Sequence, residues 1–114
     1  MTSPRDAYHP AILRMLLRTV SAVHSAGKEV SVCGEMAARP DLAAFLVAIG
    51  VDALSVSPRV IPELKQALAS VHLKPLALAA STIAACRYGA EVELALRACL
   101  TAVPLESESV DRID

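Results

Sequence analysis

Between Pro10 and Ala26 the apolar residues Ile12, Leu13, Leu16, Leu17, Val20 and Val23 recur at three- and four-residue spacing, with Arg14, Arg18, Ser21 and Ser25 opposite them. That is the stripe of an amphipathic helix. Pro10 suits a first helical turn, where no intrahelical N–H bond is lost, and Gly27 suits the left-handed position that ends a helix. The β-branched run Val30-Ser31-Val32-Cys33 follows at once and stops at Gly34, which predicts a short strand closed by a tight turn. A second helix is expected over Pro40–Ile49, with Asp41 placed favourably for the helix dipole and Gly50 as its stop. Another strand is expected over Ala53–Ser57.

Helix, strand, helix, strand with short connections and one intervening helix of about ten residues is the way two parallel neighbours are joined. The fold class is therefore α/β, two parallel strands with flanking helices. The strand period of two puts Val30, Val32, Leu54 and Val56 on one face and Ser31, Cys33, Ser55 and Ser57 on the other. After Pro58, the stripe Ile61, Leu64, Leu68 and Val71 predicts a third helix with Pro62 in its first turn and Lys65 and Gln66 outward. Beyond His72 and Pro75 an Ala-rich helix is expected over Leu76–Cys86. After Gly89 comes a last helix whose Val92, Leu96, Cys99, Leu100 and Val103 share a face. Residues 1–103 read as one domain. Residues 104–114, opened by Pro104, then acidic and without apolar periodicity, read as a disordered tail.

Composition adds exclusions. Hydrophobic residues make up 54% of the 114 and aromatics only 3%, so an excess over the usual ~45–50% comes from Ala, Leu and Val and is expected to find burial beyond the chain itself. A formal net charge of −1 with scattered Lys and Arg, one Phe and two Tyr gives no basic patch or stacking platform, so nucleic acid is excluded as a partner. The uncharged runs Leu42–Val51 and Leu76–Cys86 fall short of the ~18–20 residues that span a bilayer, and no membrane insertion is expected. The amino terminus lacks a secretory pattern. Cys33, Cys86 and Cys99 form neither a disulfide framework nor a zinc pattern. Reduced thiols fit the cytoplasm, the expected location.

In a parallel α/β sheet, functional residues collect at the carboxyl ends of strands. Here those ends are Cys33-Gly34-Glu35 and Ser55-Val56-Ser57-Pro58. From the residues alone, Cys33 is either a buried small hydrophobe or a strand-end thiol. Gly34 either allows close backbone approach to a ligand or simply makes the turn. Glu35 is a candidate charged group or a loop salt-bridge partner, and Ser55 and Ser57 point to one side. His9 and His24 read as solvated or capping residues, and His72 as a cation suited to a helix end. No Gly-rich phosphate loop, nucleophile elbow or H-E-x-x-H pattern is present.

The run Val32-Cys33-Gly34-Glu35-Met36-Ala37, followed by Gly50-Val51-Asp52, Leu54-Ser55-Val56-Ser57 and Ile61-Pro62-Glu63-Leu64-Lys65, resembles the end of enzyme I of the sugar phosphotransferase system, the phosphoenolpyruvate–protein phosphotransferases among the phosphoenolpyruvate-utilising enzymes. His9-Pro10-Ala11-Ile12-Leu13 and Ala26-Gly27-Lys28 resemble the helix before that strand. The resemblance implies the C-terminal fragment of a (β/α)8 TIM barrel, of which 114 residues are less than half of the roughly 250 usual for the fold. It implies that Cys33 is the proton donor to the enolate of pyruvate, with Gly34 against the substrate. Thiols, with an ordinary pKa of about 8.5, are mostly protonated at neutral pH and suit that role. The complete enzyme is implied to use phosphoenolpyruvate and pyruvate, Mg2+ and a phosphocarrier protein. This chain has no counterpart of the family's metal, phosphate or phosphohistidine sites, so no cofactor and no activity are expected of it alone. After the Ala the family continues Gly-Asp, whereas this chain has Ala38-Arg39. Two rival readings are a non-catalytic remnant or interaction module that forms a homo-oligomer through open strand edges, and a redox-reactive thiol protein.

Overall fold

A computed structural model describes residues 8–101. Helix α1 spans Pro10–Ser25, strand β1 Ser31–Cys33, α2 Glu35–Ala38, α3 Pro40–Ala48 and strand β2 Ala53–Ser55. A 3-10 turn over Pro58–Val60 then leads into α4, Ile61–Ala69, followed by α5, Leu73–Ala84, and α6, Gly89–Thr101. Local chemistry sets most of these ends. The imidazole Nδ1 of His9 accepts from the Ala11 N–H at 3.1 Å and so caps α1, supplying one of the acceptors a helix start lacks. Gly27 and Gly50, at φ 75° and 105°, end α1 and the turn after α3 as expected.

The strands are parallel neighbours, Ser31 opposite Ala53, Val32 opposite Leu54 and Cys33 opposite Ser55. Side chains split as the period of two requires. Val30, Val32 and Leu54 pack on a small cluster of Val20, Leu46 and Val51, while Ser31, Cys33, Ser55 and Ser57 are all exposed on the other side. The larger core lies away from the sheet, where Leu13 of α1, Leu42 and Phe45 of α3, Leu76 of α5 and Leu96 of α6 are buried together. Helix α3 is buried along the whole run Leu42–Leu46, as befits a helix apolar on every side. The apolar excess is only partly used inside the chain: Ala37, Ala43, Ala44, Ala80 and Ala84 are buried, whereas Met15, Leu78, Tyr88 and Leu94 are exposed.

Several expectations are corrected. β2 ends at Ser55 rather than Ser57, because the backbone turns into the 3-10 segment at Pro58. α5 begins at Leu73 rather than Leu76; Pro75 is its third residue, where the N–H has no intrahelical partner to lose. The strand-end turn at Gly34 continues into a one-turn helix, α2, which the sequence reading did not anticipate. Ile61 of the third stripe is exposed, although Leu64 is buried. The tail over 104–114 and Val103 lie outside the described residues. No single helix among the described residues is long and apolar enough to cross a membrane.

Candidate strand-end site

Cys33 ends β1 level with Ser55 of β2. Its thiol is free and exposed, which decides against the buried-hydrophobe reading. The next residue, Gly34, has φ 94° and ψ −171°, a region essentially restricted to glycine. A side-chain carbon added there would meet no atom within 4 Å, so the backbone beside the thiol is open to an approaching molecule. Glu35 is exposed at the start of α2 and forms no ion pair among the described residues. The strand ends therefore present a thiol, two serines, a bare glycine and a carboxylate on one open side.

Behind this edge lies a polar cluster built from residues far apart in sequence. The hydroxyl of Tyr8 donates to Asp41 Oδ2 at 2.8 Å. Arg39 Nη1 donates to that hydroxyl at 3.3 Å, and the guanidinium carbon lies 5.5 Å from the centre of the Tyr8 ring, within cation–π range. Burial, then the Asp41 carboxylate accepting its hydroxyl, pushes the Tyr8 phenol above its ordinary pKa. The sequence reading passed over Tyr8 and Arg39 as functional candidates.

The opposite, amino-terminal end of the sheet is stitched by Asp52. Its Oδ2 accepts from the Val30 N–H at 2.8 Å and lies 2.8 Å from His24 Nε2. The His24 contact, followed by the Val30 hydrogen bond, lowers the Asp52 pKa. His24 is thus a partner rather than a merely solvated residue. His72 lies between the carboxyl end of α4 and the start of α5, at whose N-cap its side chain makes no hydrogen bond. Arg14, assigned to the solvent side of α1, reaches across to the Ala84 carbonyl of α5 at 2.7 Å.

Among the described residues no three His, Cys, Asp or Glu side chains group as a metal site.

The family model described as PEP-utilising enzyme, PEP-binding domain, matches residues 1–73, which include both strand ends. The chain is 36% identical over 93 residues to multiphosphoryl transfer protein 2 of Escherichia coli, covering 82% of this chain and 11% of that protein. It is 45% identical over 64 residues to the phosphoenolpyruvate-protein phosphotransferase of Haloferax volcanii, covering 56% of the chain and 11% of that protein. Against the phosphoenolpyruvate synthase of Pyrococcus furiosus it is 31% identical over 69 residues, covering 60% of the chain and 8% of that protein. Each match thus spans 8–11% of the relative's own length. With more than half of its residues matched by the family model, this chain belongs to the phosphoenolpyruvate-utilising enzymes, in their phosphoenolpyruvate-binding domain.

Proposed function

We propose that this chain contributes the proton donor, Cys33, to a phosphoenolpyruvate–protein phosphotransferase of the sugar phosphotransferase system, as the C-terminal part of its (β/α)8 barrel. The observation that carries the reading is the position of Cys33: an exposed thiol at a strand's carboxyl end, beside a glycine with open space above it. The family model that covers this stretch is described as phosphoenolpyruvate-binding, and relatives of the chain are named for phosphoryl transfer and phosphoenolpyruvate.

When the phosphoryl group leaves phosphoenolpyruvate, the P–O bond breaks and its electrons stay on the enol oxygen. The resulting enolate needs a proton at its terminal carbon. Cys33 delivers it: the S–H bond breaks as the C–H bond forms, pyruvate departs, and the thiolate takes a proton back from water. Gly34 lets the substrate approach the backbone, because any side chain there would occupy that space. The phosphate, magnesium and phosphohistidine sites, and the docking of a phosphocarrier protein, belong to residues outside this chain, and no step is assigned to metal here.

The test is made in the intact protein that carries this chain. Exchange of the pyruvate methyl protons with deuterated water, followed by NMR, reports the proton step, and single-turnover labelling reports phosphoryl transfer. Cys33→Ala should slow the exchange by about 10²–10⁴-fold, the usual worth of a positioned acid, and slow phosphoryl transfer less. Equal losses in both steps would count against the assignment.

A further inference from the structure

The segment that follows the thiol-bearing strand has few bonds of its own. α2 is one turn long, with the Ala37 N–H donating to the Gly34 carbonyl at 3.1 Å and the Arg39 N–H to the Met36 carbonyl at 3.4 Å. A single helical turn does not persist unaided. No side chain caps its start. Its position must therefore be set by tertiary contacts. On the inner side, Ala37 is fully buried and Met36 packs against both core clusters. The far end is fixed by Arg39, whose backbone is extended before Pro40 and whose carbonyl accepts the Ala43 N–H of α3 at 2.7 Å.

Arg39 is in turn held from outside the segment. Tyr8 is 3% exposed and part of the main core, so its ring is a rigid post under the guanidinium. Its hydroxyl accepts from Arg39 and donates to Asp41. The other carboxylate oxygen of Asp41 accepts from the Leu42 N–H at 2.7 Å, anchoring that side chain on the first turn of α3. One chain of contacts thus runs from Tyr8, two residues before α1, through the junction of α2 and α3, to the end of the turn that follows the thiol.

We propose that Tyr8, Arg39 and Asp41 are positioning residues for the strand-end thiol. They hold α2 against α3 and so fix the direction in which Cys33 and Gly34 face the open side. None of the three touches the reacting atoms. The functional consequence rests on Cys33 being the proton donor; the structural one does not.

Tyr8→Phe keeps the ring and removes only the hydroxyl, Arg39→Ala removes the whole tie, and Arg39→Lys keeps the charge without the planar fork. Amide hydrogen exchange over residues 35–39 of the intact protein should quicken about tenfold in Tyr8→Phe and in Arg39→Ala, the scale of a lost hydrogen bond to a charged group. Amides of α1 and α3 should hold. The double variant Tyr8→Phe, Arg39→Ala should exchange no faster than Arg39→Ala, because the two act as one unit. In the methyl-proton assay both single variants should lower kcat at unchanged KM while phosphoryl transfer is maintained, and Arg39→Lys should recover part of the loss. Unchanged exchange over 35–39 in Tyr8→Phe, or additive effects in the double variant, would overturn the proposal. If Cys33→Ala leaves the proton step intact, the donor reading fails, and the amide-exchange result still decides for or against the tie.

Discussion

Gly34→Ala is the sharpest test of the backbone beside the thiol. At φ 94° and ψ −171°, an L side chain costs about 1–3 kcal/mol of backbone strain. Packing adds nothing, since the new carbon meets no atom within 4 Å. Replacing glycine also restricts the unfolded chain, which offsets about 0.4–1 kcal/mol. The net loss of stability is therefore about 0–2.6 kcal/mol, or about 1.3 kcal/mol at the middle of both ranges. In a domain of this size each 1 kcal/mol corresponds to roughly 4–8 °C in Tm, so thermal or urea unfolding followed by circular dichroism resolves it. Gly50→Ala is the natural companion. It has φ 105°, and there the added carbon lies 3.4 Å from His24 Cε1 and 3.5 Å from Val20 Cγ1. Its cost should be similar to that of Gly34→Ala, because these are ordinary van der Waals contacts and the backbone strain is what remains. Only Gly34→Ala should also disturb amide exchange over residues 35–39. A Gly34→Ala variant more stable than the parent would refute the left-handed geometry, and with it the argument that this backbone is kept bare for a ligand.

Asp52 gives a pH dependence. Because its carboxyl is held below the ordinary value of about 4 by His24 and the Val30 N–H, its contribution is present above that value and is lost as pH falls through the lowered one. Parent and Asp52→Asn should therefore differ in stability near neutral pH and converge as pH falls through the lowered value in denaturant titrations; a constant difference would show that the charge is not what matters. The two strands pair only with each other among the described residues, leaving outward N–H and C=O groups that invite pairing. Sedimentation velocity should show concentration-dependent association of the chain, and a monodisperse monomer at high concentration would refute it.

The elements legible in the sequence were those whose signals are local. The stripe from Ile12 to Val23, the β-branched run before Gly34 and the glycines at 27 and 50 placed α1, both strands and α3 within a few residues. α2 was not legible, because four residues carry no period, and its fold depends on burial of Ala37 and on Arg39 reaching Tyr8. The long-range side-chain ties join positions 33, 28 and 70 residues apart: Tyr8 with Asp41, His24 with Asp52, Arg14 with the Ala84 carbonyl. Spacing cannot reveal such pairs, since each side chain reads locally as a solvated charge or a cap. Cys33 and Gly34 stood out only because chemistry gathers at strand ends, and the resemblance gave the thiol a task. The place where the chain departs from the family pattern, Ala38-Arg39, is also where the Tyr8 tie is made.

The open side of the sheet bears on how the chain meets a partner. Apolar surface left bare there would cost ~25 cal/mol per Å² and would drive association by itself. The residues that face outward are instead Ser31, Cys33, Ser55 and Ser57, small and mostly polar, while Val30, Val32 and Leu54 turn to the helices. Hydrophobic burial therefore gives little reason for a partner to cover that side. The unpaired backbone of the strand edges gives more, and it is directional: a strand added to either edge would extend the row of carboxyl ends on which Cys33 and Ser55 lie. The amino-terminal end, by contrast, is already closed by Asp52 holding His24 and Val30. Hydrogen bonding is thus concentrated at one end of the strands and apolar packing in the helical core, and the carboxyl ends that carry Cys33 and Ser55 are left exposed.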